Sequence, residues 1–118
     1  MQKAVETYKL WHLFLQQMPR LTRFSLGTKI DILFTDTLQL MLSAKYAPRE
    51  QKLEYIRTLC TNIDAIKFFL QIAFELKALS AKKYSSVSIP LEEIGKMVGG
   101  WKKQLEKENP ATKTSWQE

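Results

Sequence analysis

Few side chains in this sequence could carry out catalysis. The 118 residues include one cysteine, Cys60, and one histidine, His12. This excludes an internal disulfide framework, a multi-cysteine metal site and any active site that needs two imidazoles. Four glycines are too few for a glycine-rich loop that cradles phosphate groups. Closely spaced acids occur as Glu92 with Glu93 and Glu106 with Glu108, and both pairs are expected at solvated helix ends. We therefore expect no catalytic residue, no metal and no cofactor.

The single cysteine and the single histidine also have simple structural interpretations. Cys60 lies on an apolar row between Ile56 and Ile63, which favours an inert thiol in the core over a nucleophile. Reactive thiols need exposed, electropositive surroundings. His12 has no second histidine at helical spacing, so a metal-binding role is disfavoured.

The basic side chains point to the binding of an anion. The net charge is +6 and the pI about 9.5, which favours an anionic partner, although a basic chain need not bind one. Lys67 and Lys77 are informative because they fall on positions of a predicted helix that its heptad pattern assigns to apolar side chains. Lysines there suit a subunit boundary or a central pore, where several copies would combine their charge against phosphates.

The candidate nucleic-acid-binding residues are Arg20, Arg23, Lys67, Lys77, Lys82, Lys83, Lys102 and Lys103. A solvated surface is the alternative for each of them. The aromatic residues fall mainly at core spacing, so we expect no aromatic and basic platform that reads bases.

A cluster of small residues precedes a tryptophan near the end of the chain. Gly95 and Gly99 form a G-x-x-x-G pattern, followed by Gly100 and Trp101. Small residues four apart on a helix let another backbone approach closely, and Trp101 suits an interface anchor. These four residues are the candidate oligomer interface, and a tight contact within one bundle is the alternative.

The elements that position these residues are four helices. Apolar residues at helical spacing predict helices over about 2–18, 22–46, 49–81 and 89–109, with a loop at 84–88. Pro19 ends the first helix and Pro48 suits the opening turn of the third. No segment alternates with period two, and the connections are short, so the predicted fold is all-α, an up-down antiparallel four-helix bundle. It forms one domain over residues 1–108, followed by a polar, flexible tail over 109–118.

The same patterns bear on the cellular compartment. No stretch reaches the ~18 consecutive apolar residues that a membrane span needs. The first fifteen residues carry Lys3, Glu6, Lys9 and His12 among apolar positions, which is unlike a signal-peptide core. We expect a cytoplasmic protein without a membrane partner.

Two segments resemble a known family. Residues 18–27 (MPRLTRFSLG) and 91–101 (LEEIGKMVGGW) resemble the segments P-(R/K)…R-x-x-L-G and L-x-x-I-G-x-M-(L/V)-G-G-W of the accessory variability determinant (Avd) proteins of diversity-generating retroelements. Residues 44–46 (AKY) and 63–67 (IDAIK) match that family's A-x-Y and L-D-x-L-R more loosely. The likeness covers about 8–105, and its Gly-Gly-Trp element is the most specific. The looser elements are shared with four-helix proteins encoded in intervening sequences of 23S ribosomal RNA genes.

The resemblance implies more than the composition does. It implies a barrel-shaped homopentamer of bundles with a basic surface and channel and no catalytic activity. The implied partners are a reverse transcriptase and nucleic acid, template RNA and cDNA, in support of mutagenic retrohoming. By position it carries Arg20, Arg23 and Lys67 over as basic candidates. The sequence departs from the family at Gln71, where the family often has an arginine.

Two functions therefore remain in competition. The first is a nucleic-acid-binding accessory protein of a reverse transcriptase. The second is a structural, protein-binding oligomer of the intervening-sequence type.

Overall fold

The computed structural model describes residues 1–108, which form four helices. The first, α1, spans Gln2–Gln17. The second, α2 (20–46), consists of a helical turn at Arg20–Thr22, a π-helical segment at Arg23–Gly27 and an α-helix at Thr28–Tyr46. The third, α3, spans Arg49–Glu75, and the fourth, α4, spans Ala81–Glu108. No strand occurs among these residues, so the prediction of an all-α protein with four helices is confirmed. The predicted tail, 109–118, lies outside the described residues.

Each helix packs against two others, in the cyclic order α1, α2, α3, α4. Along neighbouring helices, low residue numbers on one meet high numbers on the other. Between α1 and α4 these pairs are Lys3 with Glu93 and Phe14 with Lys83, and between α3 and α4 they are Arg49 with Glu108 and Lys67 with Glu92. The helices therefore run antiparallel in an up-down bundle, 51 Å along its longest axis.

The core lies along the inward faces of all four helices. Trp11 is fully buried on α1, stacks on Phe34 of α2, and donates its indole N–H to Asp31 Oδ1 at 3.3 Å. The buried positions of α3 recur every three or four residues: Leu53, Ile56, Leu59, Ile63, Ile66, Leu70 and Ala73. The predicted helical spacing of apolar residues is confirmed at these positions, and α3 packs against both α2 and α4.

Gly27 allows the start of α2 to lie close against the end of α1. A Cβ added at Gly27 would lie 2.6 Å from Leu15 Cδ1 and 3.7 Å from Met18 Sδ, so a larger residue would require the Leu15 side chain to move. Gly27 is therefore a close-packing contact between α1 and α2.

The boundary between α3 and α4 differs from the prediction. The long helix ends at Glu75 rather than at residue 81, and the connection is 76–80 rather than 84–88. The α3 terminus is closed by two backbone hydrogen bonds, from the Lys77 N–H to the Phe74 carbonyl and from the Ala78 N–H to the Ala73 carbonyl, each at 2.9 Å. This is the pattern of a Schellman motif, in which the residue after the cap is left-handed, and Lys77 has φ 63°.

The next helix begins early because Ser80 caps it. Its Oγ accepts a hydrogen bond from the Lys83 N–H at 3.2 Å, which satisfies one of the free donors of the first turn. The segment predicted as a loop is therefore helical, and Val87 within it is fully buried. Pro90 lies inside α4, between the buried residues Val87 and Leu91, and the helix continues through it.

Candidate nucleic-acid interface

The positive charge of the protein is concentrated at one end of the bundle. This is the end where α1 and α3 finish and α2 and α4 begin, formed by residues 14–30 and 70–90, and we name it the basic end. Its only acidic residue is Glu75. Its six basic residues are Arg20, Arg23, Lys29, Lys77, Lys82 and Lys83.

The rest of the bundle is nearly neutral. Outside the basic end, residues 1–108 carry eleven lysines and arginines against ten acids. The ion pairs of the described chain also lie there: Lys3 with Glu93, Arg49 with Glu108, Arg57 with Glu106, and Lys67 with Asp64 and Glu92. Within residues 1–108 none of the six cations of the basic end forms an ion pair. Their charge is therefore available to an external anion.

Two arginines of the basic end lie on a fixed backbone at the start of α2. The Arg23 guanidinium donates to the Gln16 carbonyl at 3.2 Å, which ties it to the end of α1. Arg20 and Arg23 both approach the Phe24 ring, with their Cζ atoms 5.9 and 5.6 Å from its centroid. The Phe24 side chain is itself 67% exposed. The π-helical segment that carries Arg23 and Phe24 belongs to a class of distortion found frequently at functional sites.

The lysines of the basic end come from the α3–α4 connection and the start of α4. Lys77 was expected on the third helix, and this placement is wrong: it lies beyond the helix end, in the left-handed position of the terminating turn. Lys82 is exposed, and Lys83 Nζ lies 5.7 Å from the Phe14 ring centroid on α1. Antiparallel packing thus brings Lys82 and Lys83 to the same end as arginines some sixty residues earlier in the chain.

The remaining three basic candidates lie elsewhere. Lys67 is on α3, where its ammonium lies 3.2 Å from Glu92 Oε2 and 3.8 Å from Asp64 Oδ1. Lys102 is half-buried and Lys103 exposed on the later part of α4. The structure therefore brings five of the eight candidates together and separates these three from them.

The glycines of α4 do not all face the same neighbour. A Cβ added at Gly95 would make ordinary contact with Ile63 Cγ2 at 3.6 Å, so this glycine packs toward α3 of the same chain. A Cβ added at Gly99 or Gly100 would meet no atom within 4 Å. The internal packing of the described bundle would accept a methyl group at Gly95 and leaves open space at Gly99 and Gly100, so it requires glycine at none of the three positions.

Trp101 lines an apolar groove in the half of the bundle away from the basic end. The groove has a volume of about 380 Å³, and its lining includes Met41, Leu59, Met97, Val98 and Trp101. It exists because the start of α1 lies level with Glu93, as the ion pair of Lys3 shows. Met1 and Ala4 at the start of α1 also line the groove, and α4 continues beyond them. Trp101 is half-buried there, and Met97 is exposed.

The residues with catalytic potential are not assembled into a site. Cys60 is half-buried, and burial raises the pKa of its thiol, an effect that nearby Lys102 partly opposes and Asp64 and Glu106 reinforce. His12 is exposed and pairs with Gln16 at 3.2 Å. Residues 1–108 hold no group of three or more His, Cys, Asp or Glu side chains placed to bind a metal ion. Among the same residues, no helix is long and apolar enough to cross a membrane.

Three members of the basic end were missed in the sequence, namely Lys29, Leu21 and Phe24. The expectation of no aromatic and basic platform rests on aromatic residues at core spacing, whereas Phe24 is an exposed ring with Arg20 and Arg23 beside it. A signal for it was present: Phe24 falls off the apolar stripe of α2 formed by Leu26, Ile30 and Phe34. Helical periodicity identifies only the residues on the stripe, so it does not identify Phe24.

The comparison with family models matches residues 1–105 to a model described as bAvd-like. No curated protein and no solved structure matches the chain. The family match covers nearly all of the described bundle, including the basic end and the Gly-Gly-Trp segment, and agrees with the four-helix fold. The chain therefore belongs to the bAvd-like family, an Avd-type accessory family of diversity-generating retroelements that is non-catalytic.

Proposed function

We propose that this protein is a non-catalytic accessory protein of a diversity-generating retroelement, which binds the reverse transcriptase and nucleic acid, and supports mutagenic retrohoming. We further propose that the basic end is its nucleic-acid-binding surface. The observation that carries this assignment is the separation of charge within the bundle. Six basic side chains that form no ion pair within residues 1–108 lie at one end, and the rest of that range is nearly neutral.

Counterion release would provide most of the binding free energy. A nucleic acid carries a condensed layer of cations, and each phosphate neutralised by Lys or Arg frees some of them. For a single strand, each such contact contributes a slope of roughly −0.7 to log K against log salt. Binding by the basic end should therefore weaken steeply as salt increases.

We propose that the protein acts as a homopentamer and that the groove at Trp101 is part of the contact between copies. Support comes from Gly99 and Gly100, whose small size has no use within one bundle, and from the exposed apolar side chain of Met97 beside Trp101. Five copies arranged in a ring would present five basic ends. Their combined field would attract a polyanion more strongly than one bundle could.

A structural, protein-binding oligomer is the second candidate function. It is favoured by large exposed apolar side chains that belong to neither the groove nor the basic end, among them Leu13, Ile32, Leu42 and Phe68. Large apolar side chains exposed to solvent suit contacts with other proteins when they lie next to one another. The reverse transcriptase could itself be such a protein, so measuring nucleic-acid binding separates the two functions.

The test is a salt titration of the binding of labelled single-stranded RNA, followed by fluorescence anisotropy. A variant of the basic end is compared with a charge-matched variant from the neutral part, whose lysines form no ion pair within residues 1–108. The first carries Arg20→Gln, Arg23→Gln and Lys82→Gln, and the second Lys9→Gln, Lys96→Gln and Lys107→Gln. We expect the first variant to lower the magnitude of the slope by up to about 2, and the second to change it little.

Two outcomes would contradict the proposal. If the wild type binds no RNA at low salt, nucleic-acid binding is wrong and the structural oligomer replaces it. If both variants lower the slope equally, the protein binds through its overall charge and the basic end is not the interface. Co-purification with the reverse transcriptase of the same retroelement tests independently whether the protein binds that enzyme.

A further inference from the structure

Phe24 is an exposed aromatic ring in an unusual position. It lies on the π-helical segment of the basic end, 67% exposed, while Leu21 one turn earlier is 85% exposed. A ring left in water forgoes the stabilisation that burial of a phenylalanine provides. Phe24 therefore contributes little to the core, and its exposure suits contact with something outside the bundle.

The surroundings of Phe24 indicate the chemistry of that contact. Arg20 and Arg23 lie within cation–π distance of the ring, at 5.9 and 5.6 Å from the centroid. Lys29, Lys82 and Lys83 add positive charge at the same end of the bundle. A flat apolar ring with two guanidinium groups close to it matches a nucleotide, which has a flat base next to an anionic phosphate.

We propose that Phe24 is a stacking platform for an unpaired base, and that it makes the basic end prefer single-stranded RNA or DNA over duplex. This inference rests on the proposed function, because it assumes that the basic end binds nucleic acid. The base would take the place over the phenyl ring that a guanidinium now occupies, and Arg20 and Arg23 would then bind the flanking phosphates. Aromatic stacking tolerates any sequence because every base has a flat π face.

A duplex cannot use this platform without being disrupted. Its bases are stacked on one another inside the helix, so its phosphates can reach the arginines but its base faces cannot reach Phe24. Duplex binding should then depend on charge alone. Single-strand binding should depend on charge and on the ring.

The platform is also held in place by the fold. The Ser25 hydroxyl donates to the Leu21 carbonyl at 3.1 Å, and Arg23 is tied to the Gln16 carbonyl. Gly27 closes the segment against Leu15 on α1. A ring on a fixed backbone loses little conformational freedom when a base stacks on it.

The exposed Leu21 and Phe24 could instead contact a protein. We favour nucleic acid because the same surface has six cations and a single acid, which complements a polyanion. A protein partner at Phe24 would be indicated if Phe24→Leu abolished binding of that protein and left RNA binding unchanged.

The experiment measures binding of one mixed-sequence strand, as single-stranded RNA, single-stranded DNA and duplex DNA, to the full chain by anisotropy at fixed salt. The variants are Phe24→Leu, which keeps apolar bulk without a ring, and Phe24→Trp, which keeps a ring. The matched control is Tyr46→Leu. Tyr46 is an aromatic residue that is 75% exposed with Lys45 Nζ 5.5 Å from its ring centroid, but it lies at the opposite end of the bundle.

We expect Phe24→Leu to weaken single-strand binding about 5- to 100-fold, the range measured for removal of one stacking partner. Its duplex affinity and its salt slope should stay unchanged, because no charge is lost. Phe24→Trp should retain single-strand binding and Tyr46→Leu should match the wild type. Unchanged helical circular dichroism would establish that the exposed substitution leaves the fold intact.

Other results would overturn the inference, and they differ from the result that would overturn the proposed function. If Phe24→Leu leaves single-strand binding unchanged, or weakens single strand and duplex equally, the stacking platform is wrong. The triple glutamine variant still tests the basic end in that case. If Phe24→Leu abolishes reverse transcriptase binding and spares RNA, the ring is a protein contact. If the wild type binds no nucleic acid, the proposed function fails together with this inference.

Discussion

The ammonium of Lys67 on α3 lies 3.2 Å from the carboxylate of Glu92 on α4. Asp64, one turn earlier on α3, lies 3.8 Å from the same ammonium. Two acids of its own bundle thus satisfy Lys67. An external phosphate would have to displace at least one of them, so this lysine is less available than those of the basic end.

We therefore expect Lys67→Gln to change the salt slope of nucleic-acid binding less than Lys82→Gln does. Because the pair is partly exposed, its loss should lower the free energy of unfolding by less than about 1 kcal/mol. Anisotropy titrations and urea unfolding of the two single variants test both statements. An equal loss of slope would show that Lys67 also meets phosphates.

Lys77 adopts a backbone conformation that glycine adopts more easily. Its φ of 63° costs a residue with a Cβ on the order of 1 kcal/mol. We expect Lys77→Gly to raise the free energy of unfolding by up to about that amount, as measured by urea denaturation. Lys77→Ala is the control, since it removes the same charge without relieving the backbone. A gain in both variants would attribute the effect to charge.

Trp11 and His12 are adjacent in sequence but differ in burial. Trp11 is fully buried against Phe34, and His12 is exposed. We expect Trp11→Ala to lower the free energy of unfolding by about 3–5 kcal/mol and His12→Ala to change it by less than about 0.5 kcal/mol. Thermal melts followed by circular dichroism measure both. Similar melting temperatures would contradict the position of Trp11 in the core.

The proposed self-association predicts opposite effects of one glycine substitution on stability and on assembly. Gly100→Ala has open space for its methyl group in the single bundle and should raise helix stability by up to about 1 kcal/mol. If another copy packs against that glycine, the same substitution should lower the mass measured by light scattering from near five times 13.8 kDa. Trp101→Ala should lower it as well, and His12→Ala should not. A wild-type mass of one chain would reject the assembly.

Cys60 and Tyr8 predict how stability depends on alkaline pH. Burial raises the pKa of the Cys60 thiol, and it raises the pKa of the Tyr8 hydroxyl with a further contribution from Asp31. The folded state therefore keeps these protons at a pH where the unfolded chain has begun to lose them. Their contribution to stability is complete below the unfolded pKa values and is lost as pH rises through the folded ones.

We expect urea midpoints to fall on the alkaline side, less steeply in Cys60→Ala and Tyr8→Phe. At pH 8 a disulfide reagent should modify Cys60 more slowly in the folded protein than in urea, because the thiolate is the reactive form. Faster modification in the folded state would contradict the raised pKa of this thiol.

The sequence alone determined the helices and much of what they bury. Apolar spacing located Trp11, Ile30 and Ile63 in the core, because a helix face must repeat every three to four residues to remain buried. The boundary between α3 and α4 was predicted wrongly for a local reason. Lys77 takes the left-handed position usually filled by glycine, and Ser80 rather than Ile89 marks the start of α4.

The basic end was decided only by the tertiary structure. Arg20 and Lys82 are far apart in the chain and form no run of charge in the sequence, but antiparallel packing places them at the same end of the bundle. The same packing brings Glu92 to Lys67 and so neutralises a lysine that the sequence offers as a phosphate contact. Sequence spacing describes one helix at a time, whereas charge pairing and the exposure of Phe24 depend on which side chains a neighbouring helix supplies or omits.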